Sequence, residues 1–325
     1  MKKGYSDLLS IISDGKDHSG EDLAIELGVS RAAIWKSIKS LQALGLTIEA
    51  THGKGYRLLK PVELLSEKKI KSLLSLAAKK HCKRIEVLFN TESTNSYLLN
   101  CLEFDPVKGD VVLAEYQSAG KGRRGNQWVS PLAGGIYLSV GWRFEKSPVA
   151  PGLLSLYTGV AIVRALKETG MDNITLKWPN DILIDDNKLG GVLLELRGET
   201  CGAIDVIIGV GINYELPEQV IKNIDQEVTD ICRHTKQRLP RNKIVALLIS
   251  HIFEVFDSVQ EETNIELLNE WREYDCYKDQ LARLILPDRE IHGLLKGVDE
   301  QGSLLMSVDG NIQRYTSGEI SLRKH

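Results

Sequence analysis

The sequence lacks the features that mark secreted, zinc-binding or membrane-spanning chains. Its five cysteines are odd in number and far apart, and no C-x-x-C pair occurs, so neither a disulfide framework nor a zinc site is expected. No apolar run approaches the roughly 18 residues of a membrane span. The first residues lead into an acidic amphipathic segment rather than a signal peptide. These absences predict a cytoplasmic protein with reduced thiols and no membrane partner.

The bulk composition is that of an ordinary globular chain without a large excess of either charge. At 325 residues, with 42% hydrophobic and 26% charged residues, the chain should form two or three domains. The net charge of −3 means that the molecule as a whole is not a polycation. Any surface that attracts nucleic acid must therefore be local.

The first part of the chain predicts three short helices and a β-hairpin. Gly28-Val29 forms a tight turn between two helical patterns, and Ser30 caps a helix that ends at Gly45. Helix, glycine turn and helix is the order of a helix-turn-helix, and strands on either side of Gly53-Lys54-Gly55 add a wing. We therefore expect a winged helix-turn-helix domain over residues 1–62.

Charge in this first part favours DNA as its partner. Residues 1–60 hold nine Lys/Arg and seven Asp/Glu, a balance of +2, whereas the remainder, 32 minus 37, carries −5. Phosphate contacts need cations on one face, and a major groove accepts one helix. The alternative is a small helical protein-interaction domain with a solvated basic face. The residues predicted to contact DNA are Ser30, Arg31, Lys36, Lys39, Lys54 and Arg57.

The middle of the chain, from residue 84 to about 275, alternates strands and helices after a connecting segment that begins at Pro61. Its tightly turned strands favour a mixed α+β sheet with helices on one side, in a central domain over residues 63–275. The predicted helices are Asn95–Leu102, Leu153–Thr169, Lys243–Val259 and Ile265–Tyr274. Residues 276–325 instead show short strands between turn residues, which predicts a small antiparallel barrel.

The stretch SAGKGRRGNQW, residues 118–128, has three glycines in the G-x-G-x-x-G spacing of a dinucleotide-binding turn. That turn should open a helix, but strand-like residues follow here, so the dinucleotide interpretation is disfavoured. A basic glycine loop can still hold an anion, because backbone N–H groups approach a phosphate closely there. A solvated surface loop is the alternative. The cations of the loop are Lys121, Arg123 and Arg124.

Four further motifs place polar groups beside strands. Ser93-Thr94-Asn95 is either a helix cap or three groups that converge on a ligand. In Lys177–Asp181, KWPND, the last two residues are either a turn or oxygen ligands for Mg²⁺. Lys188 precedes a Gly-Gly pair that suggests a close ligand, or lies exposed in a hairpin. Gly209–Asn213, GVGIN, repeats the glycine pattern after another strand.

The order of these motifs along the chain carries a resemblance that none of them carries alone. The series S-T-N, E-Y-Q-x-A-G-x-G-R-R-G-x-x-W, K-W-P-N-D, K-L-G-G, G-x-G-I-N and a terminal G-E-I-S-L-R resembles the bifunctional biotin protein ligases that also act as biotin operon repressors. The similarity covers nearly the full length and includes the wing G-K-G-Y. One departure is Lys121, where the family commonly has arginine; a lysine keeps the charge but loses the bidentate fork.

The resemblance implies a class II synthetase-like central sheet, an SH3-like C-terminal barrel and a set of site roles. The implied catalytic residues are Lys188, Arg123 and Asp181. Biotin would contact Ser93, Thr94, Asn95, Gln117, Lys121, Gly122, Arg123 and Lys188. ATP or the adenylate would contact Arg124, Trp128, Asn180, Asn213 and Arg323, and Mg²⁺ would contact Asp181 and Asn213.

The resemblance also implies a reaction and its partners. An AMP-forming ligase of this type uses biotin, ATP and Mg²⁺, holds biotinyl-5′-AMP, and biotinylates a lysine of the biotin carboxyl carrier protein of acetyl-CoA carboxylase. With the adenylate bound it would dimerise and bind biotin operator DNA. The competing interpretations are a ligand-sensing transcription factor that has lost catalysis and a lipoate-type ligase.

Overall fold

The computed structural model describes residues 4–146, 150–198, 202–259, 264–286, 289–316 and 321–324. At the N-terminus, three helices pack around buried leucine and isoleucine side chains and a two-stranded wing follows. Ser30 caps the third helix by accepting a hydrogen bond from the N–H of Ala33 at 3.2 Å. The predicted winged helix-turn-helix is confirmed. Its elements are α1 (Gly4–Ile12), α2 (Gly20–Glu26), α3 (Arg31–Ala43), β1 (Ile48–Thr51) and β2 (Gly55–Leu58).

Two short helices, α4 (Glu67–Leu73) and α5 (Leu76–His81), lead into a seven-stranded sheet of order β3-β4-β5-β9-β8-β7-β6. Strands β3 and β4 are parallel and all other neighbours are antiparallel, so the predicted mixed sheet is confirmed. The strands are β3 (Arg84–Thr91), β4 (Asp110–Gln117), β5 (Gly135–Phe144), β6 (Ile174–Lys177), β7 (Asp181–Ile184), β8 (Asn187–Gly198) and β9 (Ile204–Asn213).

Helices cover both faces of this sheet, so the expectation of helices on one side was wrong. The main core lies on the face covered by the long helices α7 (Pro151–Lys167) and α10 (Arg241–Ser258), where Val111 and Ile208 are buried. Because strand side chains alternate, Val112 and Ile207 point to the other face, where they pack against Leu98 of α6. The central helices are α6 (Thr94–Cys101), α7 (Pro151–Lys167), α8 (Glu218–Lys222), α9 (Ile231–His234), α10 (Arg241–Ser258) and α11 (Ile265–Tyr274).

The last part of the chain is a five-stranded antiparallel sheet of order β13-β12-β11-β10-β14. Within the described residues no ladder joins the outer strands β13 and β14, so the sheet is open and the expected closed barrel is not found. It packs on the central sheet, since Trp178 Nε1 donates to the carbonyl of Gly302 at 3.0 Å. The strands are β10 (Leu281–Ile285), β11 (Glu290–Val298), β12 (Leu304–Val308), β13 (Asn311–Tyr315) and β14 (Ser321–Lys324).

The winged helix also packs on the central part. Leu132, which precedes β5, is 3% exposed and lies in the hydrophobic core of the winged helix, with Phe89 and Tyr116 packed beside it. At the edge of this contact, Lys60 Nζ lies 3.0 Å from Glu215 Oε1. The predicted domain limits, 1–62, 63–275 and 276–325, stay a prediction.

A buried ion pair fixes the connecting segment to β4. Arg241 is fully buried, Glu115 is 4% exposed at its side chain, and Arg241 Nη1 lies 2.9 Å from Glu115 Oε2. The second oxygen of Glu115 accepts the N–H of Leu65 at 2.6 Å, and Arg241 Nη2 donates to the carbonyl of Gly135 at 2.8 Å. A buried charge pair is stable only when the other N–H groups and oxygen atoms of the two side chains also form hydrogen bonds, and most of them do so here. No helix in the described ranges is long and apolar enough to cross a membrane.

Candidate active site and DNA interface

A cavity of about 420 Å³ opens on the face of the sheet that carries α6. Its walls come from the start of α6, the end of β4, the glycine-arginine loop (residues 118–128), the β6–β7 turn and the first half of β8. The structure therefore brings together motifs that lie as far apart in sequence as Ser93 and Gly211. The predicted site residues that line it are Ser93, Thr94, Asn95, Gln117, Lys121, Gly122, Arg123, Arg124, Trp128, Asn180, Asp181 and Lys188.

Glycines form the floor of the cavity. A Cβ atom on Gly209 would lie 2.4 Å from Asn95 Oδ1, and one on Gly211 would lie 2.6 Å from Trp128 Cε2. Both glycines belong to β9, whose alternate residues Ile208 and Val210 fill the core on the other face. The absence of a side chain at these two positions lets α6 and the indole of Trp128 approach the sheet so closely.

Hydroxyl and amide groups at one end of the cavity are fixed by one another. Thr94 donates its N–H to Gln117 Oε1 at 2.9 Å, and Gln117 Nε2 donates to Ser130 Oγ at 2.9 Å. Ser139 Oγ lies 2.7 Å from Thr94 Oγ1 and 2.6 Å from Asn95 Oδ1. These side chains are all buried, so their hydrogen-bonding directions are set before any ligand enters. The Ser93 hydroxyl meanwhile caps α6.

Sequence reasoning missed Ser130 and Ser139, which complete this network. Ser139 lies in the middle of a mostly apolar strand, and its neighbours Leu138 and Val140 belong to the main core on the opposite face. A serine on the alternate face of such a strand is a signal that could have identified it. Ser130 follows the loop and has no comparable signal.

Cations and one carboxylate meet at the other end of the cavity. Lys188 Nζ lies 2.7 Å from Asp181 Oδ1, and Lys177 Nζ lies 3.8 Å from Asp181 Oδ2. The side chains of all three are at most 17% exposed. Lys188 Nζ also lies 5.6 Å from the centroid of the Trp128 ring, within the range of a cation–π contact. Lys177 was not predicted as a site residue, although it begins the K-W-P-N-D motif.

Arg123 reaches the same end of the cavity from the loop. Its Nη1 donates to Asn180 Oδ1 at 3.2 Å, and Asn180 Nδ2 donates to the carbonyl of Val192 at 2.9 Å. Burial lowers the pKa of the Arg123 guanidinium, and the charge of Asp181 opposes that shift. Arg124, by contrast, is exposed and has a positive φ of 60°. Arg123 is thus the more buried of these two loop cations, and Arg124 lies at the exposed edge of the cavity.

The loop closes on itself through its backbone. Trp128 donates its N–H to the carbonyl of Gly120 at 2.8 Å, and Gly122 donates to the carbonyl of Asn126 at 2.7 Å. Lys121 lies opposite Gln127 in this arrangement and is exposed. The loop is therefore a strand-flanked cover over the cavity, and the dinucleotide interpretation is excluded for it.

Two predicted residues lie elsewhere. Within the described part of the chain, Asn213 does not line the cavity, and its Nδ2 donates to the carbonyls of Lys188 at 3.3 Å and Thr229 at 2.9 Å. It therefore supports the backbone of Lys188 from behind. Arg323 lies in β14, and its backbone pairs with that of Arg283 in β10. The side chain of Arg323 lies outside the described part of the structure. A contact of either side chain with ATP or metal stays a prediction.

The segment 223–226 forms a cavity wall that no motif indicated. Just beyond it, Lys188 donates its N–H to the carbonyl of Glu227 at 3.0 Å, and Thr229 donates back to the carbonyl of Lys188 at 3.0 Å. This short bridge ties the wall to the backbone of Lys188. No group of three His, Cys, Asp or Glu side chains that could hold a metal occurs in the described residues. Asp181 therefore fits a Mg²⁺ only as a single carboxylate beside phosphate oxygens.

The predicted DNA-contacting cations lie on the surface of the winged helix. Arg31, Lys36 and Lys39 are all exposed on α3, and Lys54 is exposed at the wing. None of the ion pairs between described residues involves the three cations of α3. Arg57 differs, because its Nη2 lies 3.0 Å from Glu49 Oε2. Ser30 uses its hydroxyl as the cap of α3.

Family models match three parts of the chain. Residues 88–213 match the biotin/lipoate A/B protein ligase family, residues 6–57 match an HTH domain, and residues 283–323 match the biotin protein ligase C-terminal domain. The chain is 39% identical over 320 residues to the bifunctional ligase/repressor BirA of Salmonella typhimurium, with 97% of this chain and 96% of that protein covered. It is 31% identical to BirA of Bacillus subtilis, with 97% and 98% covered.

A solved structure agrees with these relatives. The biotin protein ligase from Aquifex aeolicus, in complex with biotin and ATP, superposes with a TM-score of 0.63 at 28% identity. The match covers 75% of this chain and 100% of that one, so the shared part is smaller than this protein. Together with the full-length relatives, these matches assign the chain to the biotin/lipoate A/B protein ligase family and, within it, to the bifunctional ligase/repressors.

Proposed function

We propose that the protein joins biotin to a protein lysine at the expense of ATP and represses transcription through its winged helix. The observation that carries this proposal is the polarity of one cavity. Fixed hydroxyl and amide groups lie at one end, and Lys188, Lys177, Arg123 and Asp181 lie at the other. The first end suits the ureido group of biotin, and the second suits a carboxylate and phosphates.

In the first step, a carboxylate oxygen of biotin attacks the α-phosphorus of ATP, and the bond to the β-phosphate breaks. Two anions must meet, so the cations of Lys188 and Arg123 offset their repulsion and stabilise the charge that develops on the transferred group. Mg²⁺, bound beside Asp181 and the phosphates, would add charge neutralisation at the leaving pyrophosphate. Holding the two substrates in line supplies much of the remaining acceleration.

The counter-ion of Lys188 sets its position before ATP binds. Because Asp181 Oδ1 lies 2.7 Å from Lys188 Nζ, the ammonium is directed into the cavity without a substrate. The incoming phosphate has to compete with that carboxylate for the ammonium. Preorganised charge of this kind needs little rearrangement during the reaction.

In the second step, a lysine amine of the acceptor attacks the acyl carbon of biotinyl-5′-AMP, and AMP leaves. The glycine-arginine loop and Trp128 lie over this end of the cavity and would keep water from the anhydride meanwhile. We assign the biotin carboxyl carrier protein of acetyl-CoA carboxylase as the acceptor. The chemistry requires an exposed lysine that can enter the cavity mouth.

The repressor function needs two winged helices, since one makes few phosphate contacts and binds specific DNA weakly. Beyond residue 193, β8 pairs with β9 but not with β7, which leaves residues 194–198 as an open strand edge in the described part of the sheet. Such an edge can pair with a second copy of the chain. We propose that the adenylate, by ordering the nearby loop, promotes this homodimer and operator binding, and that the acceptor competes for the same surface.

Mass spectrometry of the bound small molecule tests the ligase function. After incubation with biotin, ATP and Mg²⁺, we expect the mass of biotinyl-5′-AMP on the protein and pyrophosphate in solution. Lipoic acid in place of biotin is the matched control and should give neither. Unchanged biotin with no pyrophosphate would indicate a sensor without catalysis, and lipoyl-AMP would indicate a lipoate-type ligase.

A further inference from the structure

The recognition helix α3 exposes a tryptophan. Trp35 is 56% exposed, whereas Trp142, Trp178 and Trp271 are each at most 4% exposed. The buried side of the same helix is formed by Ile34 and Ile38, so the indole takes no part in the core of the domain. A large apolar ring left in water is informative when it lies on a surface that already suits a partner.

The ring lies within a row of cations. Residues three and four apart share a face of a helix, which places Arg31 and Lys39 on either side of Trp35. Lys39 Nζ lies 6.0 Å from the centroid of the indole, and both cations are exposed. Helix α3 contains no acidic residue. This face is therefore apolar at its centre and positive around it.

The major groove of DNA offers one apolar group to such a face. Among the four bases, only thymine presents a methyl group there, while the other groups are hydrogen-bond donors and acceptors. An indole has a single N–H donor, so it cannot form the bidentate contacts that read guanine or adenine. The flanking cations meet the phosphates on either side, which fixes the position of the helix but reads no base.

We propose that Trp35 contacts the 5-methyl group of a thymine in each half-site, which makes thymine at that position a determinant of operator choice. This inference rests on the proposed repressor function. The competing contact, an indole N–H to a phosphate, would add affinity without sequence preference.

Uracil scanning of a selected operator tests the contact. Operators are first selected from a random duplex pool with the intact adenylate-bound protein, and each thymine is then replaced by deoxyuridine, which removes only the methyl group. One buried methyl contributes about 0.8 kcal/mol, so we expect a loss of roughly fourfold in affinity at one thymine of each half-site. Trp35→Ala should show no loss at that thymine.

Controls separate this contact from a general defect. Ile25→Ala removes a comparably exposed apolar side chain from α2, 74% exposed, and should keep the wild-type uracil profile. Melting temperature should be unchanged for Trp35→Ala, because its ring is outside the core. If Trp35→Ala weakens every duplex equally and the uracil profile persists, the thymine contact is wrong. If no sequence is selected at all, the repressor function fails and the contact fails with it.

Discussion

Two regions of this molecule present cations to phosphate, and they hold those cations in opposite ways. In the cavity, Lys188 is 17% exposed with Asp181 at 2.7 Å, and Arg123 donates to Asn180. On α3, the cations are exposed, and no ion pair between described residues involves Lys36. The first arrangement fixes a few charges at known points, and the second spreads mobile charges over a face.

The difference corresponds to the two tasks. A reacting phosphoryl group needs charge at one position, and a low-dielectric cavity strengthens each interaction. A duplex presents phosphates along its whole length, and exposed lysines neutralise them with a strong dependence on salt. Buried, paired charge suits chemistry, and exposed, unpaired charge suits reversible binding to a polymer.

The largest effect is expected from Lys188→Ala. Removing a positioned charge from a transition state typically lowers the rate by roughly 10²–10³-fold. We therefore expect adenylate formation in a rapid-quench assay to fall by that amount while biotin binding remains measurable, because the hydroxyl and amide end is intact. Lys188→Arg keeps the charge and should retain part of the rate. A normal adenylation burst in the alanine variant would contradict the role of Lys188.

Asp275 shows the effect of burial on the pKa of a carboxyl that forms no ion pair with another described residue. It flanks β6 through a bridge to Leu176, and burial raises its pKa to about 6. A carboxyl whose pKa is raised in the folded state stabilises the protein below about pH 4, and this stability is lost as the pH rises through 6. Asp275→Asn keeps the acceptor for the N–H of Tyr277 and removes the titration.

We expect Asp275→Asn to be more stable than wild type at pH 8 by about 3 kcal/mol, and equally stable near pH 3.5, in urea unfolding. Asp279→Asn is the control with opposite sign. A hydrogen bond from Lys296 holds the pKa of Asp279 below its usual range, so the stability that it adds is lost on acidification. A stability difference that does not change with pH would contradict this account of Asp275.

Arg123→Gly should release the adenylate early. A charge-assisted hydrogen bond contributes about 1.5 kcal/mol, so the release rate should rise roughly tenfold. Free biotinyl-AMP then labels lysines of a bystander protein, which a streptavidin blot detects. Arg124→Gly is the matched control, since Arg124 is exposed and its φ of 60° accommodates glycine. Equal bystander labelling by both variants would show that burial of Arg123 does not matter.

The smallest effect is expected from Lys36→Ala on α3. Loss of one phosphate contact should weaken binding to all sequences alike and make the slope of log K against log salt less negative by about 1. Lys16→Ala removes an exposed lysine outside α3 and should leave the slope unchanged. Fluorescence anisotropy measures the salt slope of both variants over a range of roughly 50 to 200 mM salt, where the effect of phosphate contacts on affinity is large.

Much of the fold followed from local patterns. The structure reproduces the predicted helix Ile265–Tyr274 and begins the predicted 243–259 helix two residues earlier, at Arg241. Helix starts, glycine turns and alternating strands are local signals, so the sequence carries them. Which face of a sheet a helix covers depends on chain crossings, and for α6 the prediction was wrong.

The residues of the candidate site likewise fall into those that local sequence signals predict and those that depend on tertiary structure. Most of the motif residues predicted from the sequence line one cavity, because they lie at strand ends, at the start of a helix, or in the loop that joins β4 to β5. Ser139 was not predicted because its partner Thr94 is 45 residues away in sequence, and only the register of β5 in the sheet brings the two side chains together. Residues 223–226 were not predicted because they have no motif and are positioned by the bridge that the following residues, 227–229, form with Lys188.

The position of Leu132 has a consequence for protein engineering. This side chain belongs to the catalytic half of the chain but is buried in the core of the winged helix. A ligase shortened to remove the DNA-binding part would therefore carry a newly exposed apolar patch of Leu132, Phe89 and Tyr116. It would tend to aggregate, and the segment that follows the glycine-arginine loop would lose its anchor. A useful truncated ligase would need a polar residue at position 132 and new contacts that hold the segment after the glycine-arginine loop in place.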